Sequence, residues 1–285
     1  MTCCPSCSSF QIRELTQYQD DFIVQCKNCT FVFSWKIPSE EELTQHYNKY
    51  NRNRYYSPIT IKRYHTLLDQ FEAYRKTNNI VDIGCGGGVF LIEAKKRGWN
   101  VYGTEYTPEG VEFCAQKGIR MHQGLNPANY EESENFFDVI TSLEVIEHMP
   151  YAKDEVANYY RLLRPGGIVY ITTPNFNSIS RNLAKDKWNI LEYPEHLSYY
   201  TKKTLTYLFK SVGFRRVNCA TTGISFDRLK RNVGSINFSN DKKNDEQLRV
   251  ITEERPFFKL AKEITNGLLT LTSKGDTLKA TFMKA

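Results

Sequence analysis

A β-branched apolar run that breaks abruptly into glycines constrains this chain more than any other feature. Ile80, Val81 and Ile83 make a short strand of the kind buried in a parallel sheet. Gly84, Gly86, Gly87 and Gly88 follow at once, and Val89 to Gly98 then carries Phe90, Leu91 and Ala94 with helical spacing. The unit is strand, glycine turn, helix. Such a turn lets backbone approach a ligand closely, since no Cβ intervenes and positive φ costs little. The helix behind it presents unpaired N–H groups to polar or anionic atoms. A second strand, Asn100 to Thr104, ends in Glu105. An acid there, roughly 20 residues past the glycines, can accept both hydroxyls of a ribose.

Helical and strand patterns keep alternating. Helix 108–117 opens on Pro108, strands follow at 119–123 and 137–141, and a turn at Arg164-Pro165-Gly166-Gly167 leads into strand 168–172. A helical unit, Ser198 to Gly213, precedes a strand at 214–220, and Thr277 to Met283 makes the last one. This alternation predicts an α/β fold with a parallel sheet covered on both faces. Ligands in such sheets bind beyond the carboxyl ends of the strands. That groups residues 84–88, Glu105, Gln123, Gly124, Ser142, Leu143 and Glu144 around one crevice, with Gln123 and Gly124 where an adenine would lie. Thr172 to Asn175 offer polar groups to a second substrate. The aromatic stretch 176–200, with Trp188, Tyr193, Tyr199 and Tyr200, is expected to form a substrate lid.

The sequence D-I-G-C-G-G-G at 82–88 resembles motif I of the class I S-adenosylmethionine (SAM)-dependent methyltransferases. F-D-V-I-T-S-L-E-V-I-E-H at 137–148 and R-L-L-R-P-G-G at 161–167 resemble later motifs of that family, in the same order. The resemblance runs over residues 78–215. It implies a Rossmann-like sheet of seven strands in the order 3-2-1-4-5-7-6, a methyltransferase domain at 79–285, and SAM as cofactor. It also implies that Asp82 fixes the glycine loop near the methionine end and that Glu105 holds the ribose. Gly84, Cys85, Gly86, Gly88, Gln123, Gly124, Leu143 and Glu144 complete the expected cofactor site.

Residues 144–148 read Glu-Val-Ile-Glu-His, and Glu195-His196 lies downstream, past the fifth strand. On a helical turn Glu144, Glu147 and His148 project toward one point. Two chemistries are open. His148 or His196, with Glu147 beside them, can act as the catalytic group that takes a proton from an acceptor hydroxyl. Alternatively Glu144, Glu147, His148 and His196 hold a divalent cation, Mg²⁺ or Mn²⁺, that lowers the hydroxyl pKa. The E-x-x-E-H stretch with a distant His resembles the metal site of the small-RNA 2′-O-methyltransferases. The ubiquinone-biosynthesis O-methyltransferases carry a similar stretch.

The amino-terminal segment has a separate logic. Cys4-Pro-Ser-Cys7 and Cys26-Lys-Asn-Cys29 are C-x-x-C knuckles 18 residues apart, with strand-like runs at 12–15, 22–25 and 30–34. Two such knuckles bring four thiolates into the tetrahedron of a structural zinc, which leaves no coordination position open. Residues 1–36 are expected to form this zinc ribbon. Residues 37–78 form a helical linker and cap, opened by a Ser39–Glu42 capping box and crowded with Tyr47, Tyr50, Tyr55 and Tyr56.

Charge narrows the partners. Thirty-eight basic and 32 acidic residues leave +6, with no long basic block, which disfavours a nucleic-acid partner. No run of ~18 apolar residues is present, so no membrane span is expected. The N-terminus lacks the apolar run of a signal peptide, which makes the cytoplasm the expected location. The ribbon, P-E-H-L at 194–197 and Gly275-Asp276 resemble the methyltransferases of bacterial glycan and sugar biosynthesis. That implies O-methylation of a sugar hydroxyl on a nucleotide-sugar or polysaccharide precursor. A quinol or small phenol is the alternative acceptor, and RNA gripped by the ribbon is another. The oligomeric state stays open.

Overall fold

A computed structural model describes residues 3–47, 56–124, 134–224 and 256–285. Tyr50, Tyr55 and the Tyr47 side chain, which belong to the tyrosine-rich part of the 37–78 segment, lie outside the described residues. The chain opens with three short strands, β1 (Ile12–Glu14), β2 (Ile23–Cys26) and β3 (Val32–Ser34). Helix α1 (Glu40–Tyr47) begins at the expected capping box: Glu42 N donates to Ser39 Oγ at 3.2 Å and Ser39 N donates to Glu42 Oε2 at 2.8 Å. Helix α2 (Pro58–Phe71) has Ser57 as its cap and proline in its first turn, where the missing N–H costs nothing.

The remainder alternates as anticipated: β4 (Asn79–Ile83), α3 (Val89–Lys96), β5 (Asn100–Glu105), α4 (Pro108–Ala115), β6 (Arg120–Gln123), β7 (Phe137–Leu143), α5 (Ala152–Leu162) and β8 (Leu163–Pro174). Then come α6 (Ile179–Ala184), β9 (Ser198–Tyr199), α7 (Lys202–Val212), β10 (Phe214–Thr222), α8 (Pro256–Thr272) and β11 (Thr277–Lys284). The main sheet runs β6-β5-β4-β7-β8-β11-β10, parallel except for β11, which is antiparallel to both its neighbours. This is the seven-stranded 3-2-1-4-5-7-6 order. Every residue of β4 is buried, as a central parallel strand between helix layers requires. Among the described residues no helix is long and apolar enough to cross a membrane.

Two features depart from the local patterns. The Arg164–Gly167 turn is a bulge inside β8: Leu163 pairs with Phe137 before it and Ile168 with Val139 after it. Gly167 is required there, since a Cβ would lie 2.9 Å from Arg164 O and 3.0 Å from Phe137 O. The segment 176–200 is packed rather than irregular: Trp188 and Tyr200 are fully buried, and β9 becomes the fourth strand of the amino-terminal sheet, order β1-β2-β3-β9. Cys4, Cys26 and Cys29 share one core with Val145, Ile146 and Met149.

The amino edge of the main sheet is tied by a buried carboxylate. Asp138 accepts backbone N–H bonds from Lys76, Thr77 and Asn78 at 2.9, 2.8 and 2.8 Å, and meets Arg164 Nε at 2.5 Å. Arg164 also donates to Tyr74 O. Breaking a buried pair strands the remaining charge, at about 3–5 kcal/mol. Asp138→Ala is therefore expected to lose that much stability in urea unfolding; a loss under about 1 kcal/mol would show that the edge does not depend on this group.

Candidate active site

The glycine turn is held from three strands. Asp82, near the end of β4, is 3% exposed and accepts from Thr141 Oγ1 at 2.6 Å, its register partner on β7. Gly84 N donates to Thr104 Oγ1 and Cys85 N to Thr104 O, both at 2.9 Å. Gly86 N donates to Glu105 Oε2 at 3.0 Å, and Tyr106 N donates to Glu105 Oε1 at 3.0 Å. The glycines have different reasons. At Gly88 a Cβ would sit 2.6 Å from Ile119 Cδ1, so that residue serves helix packing. Gly86 has φ +55° and a Cβ there would meet nothing within 4 Å, which leaves the outer side of the loop open to a ligand. Gly110 in α4 makes room for Glu105, whose Cγ lies 2.5 Å from where a Cβ would be.

This arrangement fits the donor the resemblance implies: an acid at the second strand end beside an open, N–H-rich loop. Gly124 N donates to Glu105 O at 2.8 Å, which places the β6 end against the same acid. Gln123 is exposed and Leu143 half-buried. Cys85 is a buried packing residue, its Sγ 4.0 Å from Cys114 Sγ. Burial first, and then the charge of Glu105, raise the Asp82 carboxyl to about 7 against the opposing Thr141 bond.

Past β7 the backbone enters a left-handed conformation at Glu144, φ 58°, and a 3-10 turn covers Ile146–His148. Glu144 N donates to Thr172 O at 3.0 Å, and the residue stays exposed. The acids and histidines that come together are Glu147, His148 and His196, with ligand atoms within 4.8 Å of one another. Glu144 is not in that set. Its positive φ and the tighter turn remove the α-helical alignment on which the four-residue grouping relied. Thr172 and Asn175 are committed elsewhere, whereas the buried Thr173 hydroxyl lies against Glu147. Thr172 Oγ1 accepts from Glu144 N, and Asn175 Nδ2 donates to Gly275 O and Ser273 O at 2.7 and 3.1 Å. These two brace the sheet edge.

Both imidazoles are oriented by backbone. His148 Nδ1 lies 2.8 Å from Glu195 O and His196 Nδ1 lies 2.7 Å from Ile190 O. A carbonyl only accepts, so in each of these contacts Nδ1 carries the proton, and the Glu144 backbone lies against His148 as well. The ring centroids are 4.9 Å apart. Burial, then the charge of His196, push His148 down to about 4, so it is neutral through the physiological range. Glu147 is 2% exposed, and its Oε2 has no hydrogen-bond partner among the described residues. Burial, with the Glu144 charge adding to it, holds that carboxyl well above the usual carboxylate range.

The four knuckle thiols converge. Cys4 Sγ to Cys29 Sγ and Cys7 Sγ to Cys26 Sγ are each 3.6 Å, and all four sulfurs lie within 4.8 Å of one another. Metal–sulfur bonds of ~2.3 Å give a regular tetrahedron with edges of about 3.8 Å. A disulfide needs about 2.05 Å, and these cysteines are free. Cys3 is exposed and outside the set. The hydrogen bond from Cys4 draws the Cys29 thiol down to about 5, toward the thiolate a metal takes.

Motif reading missed Thr104, Thr141, Ser34 and Leu197. The two threonines sit at strand ends in line with Asp82 and Glu105, a signal a register-aware reading could use. Ser34 and Leu197 act through backbone groups, which no residue type announces. A cavity of about 350 Å³ lined by Tyr18, Arg181 and Lys185, among others, lies between the amino-terminal segment and α6.

Comparison with known proteins identifies the family and the fold. The sequence profile of a family described as a methyltransferase domain matches residues 49–218. The ubiquinone biosynthesis O-methyltransferase of Nitrosococcus oceani is 36% identical over 102 residues, 34% of this chain and 43% of that protein. The protein of the same name from Pseudomonas aeruginosa is 36% identical over 104 residues, covering 34% and 45%. The chain thus spans less than half the length of these relatives. A SAM-dependent methyltransferase structure from Archaeoglobus fulgidus superposes with a TM-score of 0.54 at 16% identity, covering 86% of this chain and all of that one. The SAM complex of Haemonchus contortus phosphoethanolamine N-methyltransferase 2 gives 0.56 at 16% identity, covering 89% and 61%. At such identities the likeness shows the fold.

A raised Asp82 makes cation binding pH-dependent. A sulfonium ligand bound beside it would favour the ionised carboxylate, so below about pH 7 binding would have to expel a proton. SAM affinity is expected to weaken up to about tenfold from pH 8 to pH 6 in calorimetry, and the uncharged thioether product much less. A flat SAM profile over that range would remove Asp82 from the electrostatics of the donor.

Proposed function

The chain belongs to the methyltransferase-domain family, and on that premise we propose that it is a SAM-dependent methyltransferase that acts on a hydroxyl oxygen of a small phenolic acceptor of the quinol class. The observation that carries this is the pair of imidazoles pinned at Nδ1, His148 and His196, at the end of the strand beside the glycine loop. The curated relatives support a phenolic acceptor. The sugar acceptor expected from the ribbon and from P-E-H-L is not what the two relatives named above are named for, and it moves to second place.

When bound, SAM supplies a methyl group on a positively charged sulfur. Glu105 would accept the ribose hydroxyls, and the N–H groups of the 84–88 loop would line the donor, with Gln123, Gly124, Leu143 and Glu144 around it. The rest is positioning and proton removal. Nε2 of His148 or His196 would take the acceptor proton, freeing the oxygen to receive the methyl group while the S–CH₃ bond breaks and the sulfur leaves as the neutral thioether. Residues 188–196, which carry one member of the pair, would cover the acceptor. The knuckle cysteines Cys4, Cys7, Cys26 and Cys29 would hold structural zinc within a 1–36 ribbon, joined through the 37–78 segment to the 79–285 methyltransferase domain.

A second reading has one specific observation in its favour. Glu147 Oε2 is buried without a hydrogen-bond partner among the described residues, a carboxylate oxygen of Glu147 lies within 4.8 Å of ring nitrogens of His148 and His196, and a divalent cation, Mg²⁺ or Mn²⁺, would be held by these three residues. The cation would then acidify the acceptor hydroxyl.

His148→Ala and His196→Ala separate these readings. Loss of the base is expected to lower kcat by about 10²–10⁴ while product affinity stays within about twofold. Dialysis against EDTA leaves wild-type turnover unchanged under base catalysis. Loss restored by Mg²⁺ or Mn²⁺ favours the cation. Catechol-type acceptors and a nucleotide-sugar are assayed side by side, and methyl transfer to the sugar alone would overturn the phenolic reading.

A further inference from the structure

We propose that the cysteine-rich ribbon is a positioning element for the His148–His196 pair, its metal-held fold keeping β3 in place as the template on which residues 190–199 are set. The proposal rests on reading the four thiols as a metal site and the imidazole pair as catalytic.

The link is a short chain of backbone bonds. Ser34 N, at the end of β3, donates to Leu197 O at 2.8 Å, and Leu197 N donates to Glu147 O at 2.8 Å. One residue thus spans from the ribbon to the turn that carries Glu147 and His148. Its neighbours extend the contact: Phe33 pairs with Ser198 and Val32 with Tyr199, while Ser198 Oγ donates to Met149 O at 3.1 Å. From the other side, Trp188 and Ile190 pack in one cluster with Tyr18, Ile23 and Val32. Tyr193 lies edge-on to Phe22 with ring centroids 5.0 Å apart, and Lys36 Nζ is 4.7 Å from the Tyr193 ring.

Both carbonyls that hold the imidazoles, Glu195 O and Ile190 O, belong to this segment. They set which nitrogen of each ring bears the proton. The ribbon therefore fixes the two acceptors that define the pair. It cannot do so unaided, because its own strands have only three, four and three residues. So small a core needs a staple, and four thiolates on a metal provide it. The donor loop is different. Bonds from it run to β5, β7 and the end of α4, and none of these partners is a ribbon residue. The protein is divided into a donor half that stands without the metal and an acceptor half that depends on it.

The experiment uses the full chain, stripped of metal by reversible mercurial modification and chelation, checked for zinc content, and then reloaded with Zn²⁺. Amide exchange at Ser34 and Leu197 is expected to accelerate by about tenfold or more on metal loss, while exchange at Gly84 and Cys85 holds. Affinity for the demethylated product is expected to stay within about twofold. In ¹⁵N-histidine NMR the Nδ1–H signatures of both rings should give way to the Nε2–H form and return on reloading. Unchanged exchange at Ser34 and Leu197 in verified metal-free protein overturns the proposal. So does loss of product binding along with the acceptor half, which would make the metal a staple for the whole fold. Failure of the phenolic reading would appear as absent turnover with these readouts intact, so the two are distinguishable.

Discussion

A parallel sheet leaves the backbone at the carboxyl ends of its strands without partners, and the chemistry of this protein is arranged along that edge. β4 lies between β5 and β7, and the chain runs outward through β5 and β6 before returning to β7. The connections after β4 and β7 therefore leave in opposite directions and open a crevice where the strand order reverses. Asp82 closes the floor of that crevice through its bond to Thr141, and Glu105 reaches the glycine loop from the next strand. Burial of Asp82, with the charge of Glu105 adding to it, holds its carboxyl near 7.

The same edge carries buried polar groups that do not favour stability. Glu147 has an unsatisfied oxygen and His148 is kept neutral by burial. Groups of this kind are retained where they do work, and the stabilising interactions lie elsewhere. At the opposite, amino edge Asp138 is saturated by three N–H donors and Arg164. The sheet is rigid at one end so that the other can hold an unsatisfied site.

The ribbon is not an appendage in this structure. Its sheet takes β9 as a fourth strand and its cysteines share the core of the methyltransferase fold, with Lys153 N donating to Pro5 O at 3.2 Å. On the proposed reading this small cysteine-held module is one wall of the acceptor side.

How much was legible follows from how far each signal reaches along the chain. The glycine turn, the Glu105 acid, the capping box at Ser39 and the C-x-x-C knuckles are local patterns, and each was readable because backbone freedom, helix caps and metal geometry impose residue types at fixed spacing. The strand order came from resemblance to the SAM-dependent methyltransferases and was met in full. The bulge at Gly167 was hidden because close approach of Arg164 O and Phe137 O is a contact between distant segments. Glu144 was misplaced for a similar reason: the sequence allows a helical turn, and the bond from Glu144 N to Thr172 O selects a left-handed one. Residue types by themselves determined which chemistry the chain carries, an open loop, two acids, paired histidines and four thiols. Only tertiary structure decided which of these meet, because the bonds that join Ser34, Leu197 and Glu147 use backbone groups that every residue has.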